Sequence, residues 1–205
     1  MSPSKVSKLV RKLGFENFKQ YKLFFGGQQI ISEDKKNSSE LERLKNYIEN
    51  FDPTLIDNFL TIFKKYNRIV LFGLGPSFIC VEYFAYKLTL LSGKNIFVAQ
   101  EETYAQHLVD EETLFIVFSV TGKYTSFENL FNAVKSSGSE ILLILEEYDN
   151  SLALSIDNIF YLTKSNQNEN LLPFEKTRTV FFIFIEEVIA KLMSERDTNN
   201  LGSIK

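Results

Sequence analysis

The sequence predicts an α/β protein: a three-layer α-β-α sandwich on a five-stranded parallel sheet, preceded by a basic helical segment. Three observations predict it. Apolar runs of strand length alternate with amphipathic helical stretches from Arg68 onward. Turns rich in glycine and hydroxyl groups follow the first and third runs. Positive charge is gathered at the front of the chain, ahead of an acidic body.

The 205 residues are enough for one substantial domain and a small appendage, and 44% hydrophobic content supports a sizeable core. The single cysteine, Cys80, excludes an internal disulfide and a multi-cysteine metal site; in its apolar helical setting it reads as a buried, inert thiol. No signal-peptide pattern is present, and the longest apolar run, Val180 to Ile185, is far too short to span a bilayer. The expectation is a cytoplasmic protein with no membrane segment, no metal and no cofactor.

At the front, Pro3 suits the first position of a helix, with Ser2 as its cap. Val6, Leu9, Val10 and Leu13 recur at i, i+3, i+4 and i+7, one apolar stripe, and Gly14 ends the pattern. Ser4, Lys5, Ser7, Lys8, Arg11 and Lys12 lie mostly on the other side. Phe15, Phe18, Tyr21, Leu23 and Phe24 predict a second short helix. Residues 1–23 hold six cations against Glu16, so an anionic partner is expected. The basic face reads either as a solvated surface or as a recognition helix that sets short polar groups at base edges and cations at phosphates.

Gly26-Gly27 breaks the pattern, and Ile31 to Glu40 is a linker by composition. Leu41, Leu44, Tyr47 and Ile48 then return to helical spacing. Asp52-Pro53 opens another helix, with Leu55, Ile56, Phe59, Leu60 and Phe63 as its stripe. These two helices are expected to cover the sheet or a dimer partner.

The strands are expected at Ile69–Phe72, Asn95–Ala99, Leu114–Ser119, Glu140–Leu145 and Asn158–Leu162. Helices are expected at Ser77–Leu91, Tyr104–Leu108, Ser126–Ser136 and Ser151–Ser155. Such alternation makes a parallel sheet covered on both faces. The last segment, Leu172–Met193, reads as one long helix whose middle is apolar nearly all round, which points to burial by a second subunit.

In open parallel sheets, ligands bind beyond the carboxyl ends of strands. Gly73-x-Gly75-x-Ser77 lies there after the first strand, and Ser119-x-Thr121-Gly122 after the third. Glycines let backbone amides approach an anion, hydroxyls add donors, and Lys123 adds charge. Phe78 stands where a dinucleotide fingerprint needs its third glycine, so that motif is excluded.

These residues resemble the sugar isomerase (SIS) domain over roughly Lys64 to Met193. Its members carry Gly-x-Gly-x-Ser after the first strand and Ser-x-Ser-Gly-x-Thr after the third. "GLGPS" matches the first. "SVTGKY" matches the second at Ser119, Thr121 and Gly122, but has Tyr124 in place of the terminal Thr, with Thr125 one step later. The front end, "SPSKVSKLVRKLGFENFKQYK", resembles the end of the helix-turn-helix of MurR/RpiR-type regulators through Leu13-Gly14-Phe15, Asn17-Phe18 and Lys22. Lys5 and Lys8 depart from the Thr and Arg common there, and the earlier helices of that domain are absent before Ser2. This leads to the expectation of a fragment of a longer regulator, or a shortened relative. The Lys87 to Phe97 stretch and Arg178 also sit where these regulators have a Lys-Leu…Gly stretch and an Arg.

The resemblance implies four parts: a partial helix-turn-helix (1–27), a linker with helices (28–63), an SIS phosphosugar-binding domain (64–195) and a polar tail (196–205). It implies a sugar phosphate effector at Gly73, Gly75, Ser77, Ser119, Thr121, Gly122, Lys123, Tyr124, Thr125 and Arg178. It further implies DNA as a second partner if the helix-turn-helix is complete in the full-length protein, contacted through Ser4, Lys5, Ser7, Lys8, Arg11 and Lys12, and a homodimer or a dimer of dimers as the assembly. Isomerisation would need a base near the sugar C1–C2 protons. His107 reads as a surface residue, Asp110, Glu111 and Glu112 as a solvated turn, and Glu186 and Glu187 have no base role assignable from spacing. A non-catalytic phosphosugar-responsive regulator is therefore expected, with an isomerase as the alternative and a degenerate dimerisation module as the third reading.

Overall fold

The computed structural model describes residues 3–13, 15, 18–25, 40–123, 127–148, 156, 158–164 and 166–202. Five strands, β1 (Arg68–Gly73), β2 (Asn95–Ala99), β3 (Thr113–Ser119), β4 (Glu140–Leu145) and β5 (Asn158–Tyr161), form one sheet in the order β2-β1-β3-β4-β5. Every pairing is parallel; Leu71 lies between Val98 and Ile116, and Ile116 faces Leu142 on the other side.

The period of two in the strands sorts their side chains onto two faces. Ile69, Leu71, Leu114, Ile116, Leu142 and Ile144 enter one core with α3 (Glu40–Glu49), α4 (Thr54–Phe63), α5 (Ser77–Leu91) and α8 (Thr179–Gly202). Val70, Phe72, Phe115, Val117, Ile141 and Leu143 enter the other, with α6 (Glu102–Leu108) and α7 (Phe127–Ser136). Both faces are covered, so the central strands are buried along their whole length, as near-continuous apolar runs require. Phe59, Phe84, Phe118, Phe181 and Phe184 pack as linked rings that join α4, α5, β3 and α8. Cys80 is fully buried there, and burial pushes its thiol up to about 12.

The three-layer sandwich with its five-stranded parallel sheet matches the sequence expectation, and α5 spans the residues expected for it. The last helix does not. It begins at Thr179 rather than Leu172 and continues to Gly202. Gln167 donates from Nε2 to the Thr177 carbonyl and accepts the Thr177 N–H, taking both backbone groups out of a helical ladder. Thr177 Oγ1 then accepts the Thr179 N–H as a cap. At the far end, Lys64 pairs with Glu195 at 2.7 Å and ties the polar continuation of α8 to the end of α4. The expected linker up to residue 39 and the expected helix at Ser151–Ser155, together with the Ser2 and Gly14 caps, lie outside the described residues, while Glu40, the last residue assigned to the linker, opens α3.

Two helices precede the body, α1 (Pro3–Lys12) and α2 (Phe18–Phe25). Of the α1 stripe, Val10 is buried while Leu9 and Leu13 stay about half exposed, at 46% and 47%. Phe15 is buried and its ring meets Phe174 at 4.5 Å between centroids, docking this end on the segment that leads into α8.

Candidate anion-binding cleft at the sheet switch point

Strands β1 and β3 are neighbours, yet the chain leaves them towards opposite faces, into α5 and α7. The separation opens a crevice beyond their carboxyl ends, where open α/β sheets hold ligands. A cleft with an empty volume of about 500 Å³, part of it open to solvent, lies there. Its walls are the β1–α5 turn (Leu74, Pro76, Ser77), the end of β3 with the segment after it (Phe118 to Thr121, Lys123), Phe127 of α7, and Pro173, Lys176 and Arg178 ahead of α8.

The two segments singled out by sequence therefore meet, and Arg178 joins them. Gly75 and Gly122 both take positive φ, 54° and 68°, the conformation that glycine adopts most readily. Gly73 is needed for another reason. A Cβ there would stand 3.0 Å from the backbone carbon and oxygen of Ser77. Ser77 is buried at the start of α5, with Arg178 Nε 3.5 Å from its hydroxyl. The side chain of Lys123 reaches the cleft from an exposed position. Tyr124 and Thr125 lie outside the described residues.

Some of the backbone amides of the two turns are already engaged. The amides of Ser77, Phe78 and Ile79 donate to the carbonyls of Leu74, Gly75 and Pro76. Likewise Gly122 N–H donates to Ser119 Oγ and Lys123 N–H to Thr121 Oγ1. These amides are spent inside their turns. The hydroxyls of Ser119 and Thr121 act there as acceptors, and each retains a hydrogen to donate. The lining residues carry hydroxyls, on Ser77, Ser119 and Thr121, and cations, on Lys123, Lys176 and Arg178.

Sequence reasoning missed the layer behind it. The carbonyl end of β4 runs into Glu146 and Glu147, both buried. Lys176 Nζ donates to Glu147 Oε1 at 2.6 Å, with each side chain 7% exposed. Arg43 of α3 donates to Glu146 Oε1 at 2.5 Å, and Gln167 Nε2 to the same oxygen at 2.6 Å. Burial pushes the Glu146 carboxyl up to about 7 against the pull of Arg43. Burial also lowers the Arg178 guanidinium, partly offset by Glu146. The signal was present in the string: tandem carboxylates directly after the apolar run Ile141 to Leu145, which a buried strand end tolerates only with cations nearby.

The other titratable candidates lie elsewhere. His107 is exposed on α6, its Nδ1 beside the Thr103 carbonyl. Asp110, Glu111 and Glu112 form the exposed turn that enters β3, at the opposite end of the sheet. Glu186 is exposed on α8 and bonds Tyr83 and Lys87. Of the expected DNA-contacting residues, Lys8, Arg11 and Lys12 line a second cavity with Gln100 to Thr103, and Lys12 pairs with Glu101 at 2.7 Å. Ser7 is exposed, and the side chains of Ser4 and Lys5 lie outside those described.

Hydroxyls and cations converging at the switch point of a parallel α/β sheet make this cleft a candidate anion site. Residues 62–190 match the SIS domain family, and the chain belongs to it. No curated protein matches the chain. Among the solved structures that share the fold are the following three. The Vibrio vulnificus NanR protein complexed with ManNAc-6P has TM-score 0.62 and 13% identity, over 76% of this chain and 60% of that one. The sugar isomerase domain of an RpiR transcription factor from Sphaerobacter thermophilus has TM-score 0.55 and 15% identity, over 77% and 93%. A putative sugar-phosphate isomerase from Listeria monocytogenes has TM-score 0.58 and 20% identity, over 78% and 94%.

Among the described residues, no helix is long and apolar enough to cross a membrane.

Proposed function

We propose that this chain is a phosphosugar-responsive transcription regulator of the MurR/RpiR type. Its cleft binds a sugar phosphate as effector and does no chemistry on it. The observation that carries the reading is the lining. Ser77, Ser119, Thr121, Lys123 and Arg178 supply donors and positive charge for a phosphate, while none of the described lining residues is a carboxylate or a histidine. Aldose–ketose isomerisation needs such a base within reach of the sugar. The ManNAc-6P complex of NanR, which shares the fold, supports the ligand class.

In this reading α1 belongs to the DNA-contacting unit, and Ser4, Lys5, Ser7, Lys8, Arg11 and Lys12 are its contacts. The assembly is a homodimer. Ile79, Tyr86 and Leu90 form an exposed apolar line on α5 that suits a second copy. Effector control then requires the sugar phosphate to bind one dimer arrangement more tightly than another.

Thermal-shift screening against hexose and amino-sugar phosphates, followed by NMR of each binder for conversion, tests the reading. Binding without turnover is expected, with affinity falling about tenfold or more in Ser77→Ala and Arg178→Ala, the loss of a hydrogen bond to a charged group. Turnover of a bound sugar phosphate would replace it with the isomerase reading. Salt-dependent binding of operator DNA by the full-length protein tests the second half.

A further inference from the structure

Glu146 does not line the cleft, yet every charge that faces it is connected to the cleft or to the helix behind it. From the segment ahead of α8 come Gln167 and Arg178, with Lys176 held by the adjacent Glu147. From α3 come Arg43 and Tyr47, from α5 Cys80, and Glu187 of α8 acts on the same Tyr47. Oε1 of Glu146 takes both hydrogen bonds, from Arg43 and Gln167. Oε2 is buried and without a hydrogen-bond partner among the described residues, as is the Tyr47 hydroxyl.

We propose that Glu146 is a positioning residue for the anion cleft, and that a dianion entering the cleft is accompanied by uptake of one proton onto Glu146. The proposal rests on the reading of the cleft as an anion site. Half-buried Arg178 and buried Lys176 are its cations, and each is already engaged from behind, Lys176 by Glu147 and Arg178 by the field of both carboxylates. An arriving anion and Glu146 then compete for one guanidinium. Two like charges sharing a cation in a low-dielectric site raise the proton affinity of the weaker acid. The unpartnered Oε2 is where the proton goes, and it comes from solvent.

The neighbours leave this role to Glu146. Burial pushes Tyr47 upward and Cys80 up to about 12, so neither gains or loses a proton near neutrality. Glu146, lifted to about 7, does. A neutral Glu146 also releases part of its hold on Arg43, which otherwise ties α3 to the cleft end of the sheet.

The test uses sulfate, which stays a dianion throughout the range, titrated into the whole chain from pH 6 to 8.5 and followed by NMR. Wild type is expected to bind progressively more weakly above pH 7, approaching about tenfold per unit, the limit for one linked proton. Glu146→Gln is expected to flatten the profile. Histidine is the other side chain that ordinarily titrates in this window, and His107→Asn is expected to keep the wild-type slope. A flat wild-type profile, or an unchanged slope in Glu146→Gln, overturns the proposal. Where that variant does not fold, the carboxyl ¹³C signals of the wild type serve instead: one must titrate near neutrality and move up with sulfate, and none doing so overturns it. Binding that depends on Arg178 but ignores pH sinks only the proton step. Absence of sulfate binding at every pH, or binding indifferent to Arg178→Ala, sinks the anion-site reading as well.

Discussion

At Glu146, burial outweighs the attraction of Arg43, and the sign of the consequence can be worked through. The folded carboxyl holds its proton to about pH 7, whereas an ordinary carboxylate releases it near 4.5. The folded state therefore binds more protons than the unfolded one between those values, and this contribution to stability is lost as pH rises through 7. It amounts to roughly 3 kcal/mol at most, at 1.36 kcal/mol per unit. The melting temperature of wild type relative to Glu146→Gln should fall between pH 5 and pH 8, measured at fixed ionic strength. A difference that does not change with pH would show that Arg43 and Gln167 compensate the buried charge in full. The same residue shows what a string conceals. Glu146 reads as one half of a polar doublet, and its burial depends on Arg43 and Gln167, which are 103 and 21 positions away.

At the scale of elements, the junction of β1 and α5 carries the cleft. Its geometry depends on the missing side chain at Gly73, where an added Cβ would press on Ser77 and on Val81 Cγ2, all at 3.0 Å. Gly73→Ala should cost about 1–3 kcal/mol in urea denaturation, as overpacking does, and should weaken anion binding along with it because Ser77 is displaced. Retention of full affinity would separate the turn from the site. Elements with a strong local pattern were legible: α5 follows from its apolar run between Pro76 and Gly93, and β4 from six residues of strand character. The 172–178 segment was not. Its residues lead directly into α8, and the bonds of Gln167 to Thr177 and of Lys176 to Glu147 hold it outside the helix, with Arg178 beside Ser77.

At the scale of the molecule, the front helices sit at the same end of the sheet as the cleft. Leu74 lines both the cleft and the cavity under the α1 cations, and Phe15 packs on Phe174, next to the cleft residue Pro173. Removing the Phe15 ring deletes the largest buried anchor of this docking. Phe15→Ala should raise amide exchange across Pro3–Lys12 by about tenfold or more while β1 to β4 keep their protection. Equal exchange in both proteins would mean that Val10 and the Lys12–Glu101 pair hold α1 without it.

By itself the sequence determined the layered α/β architecture, because apolar runs of strand length and amphipathic helical stretches are local properties of the chain. It also determined which two turns carry the hydroxyls and the glycines. The tertiary structure decided that those turns share one cleft, because the chain departs from neighbouring strands to opposite faces of the sheet. It alone decided that Lys176 joins Arg178 in that cleft and that two buried carboxylates stand behind them. The physical reason is that burial and charge pairing are sums over neighbours in space, and most of these neighbours are far apart along the chain.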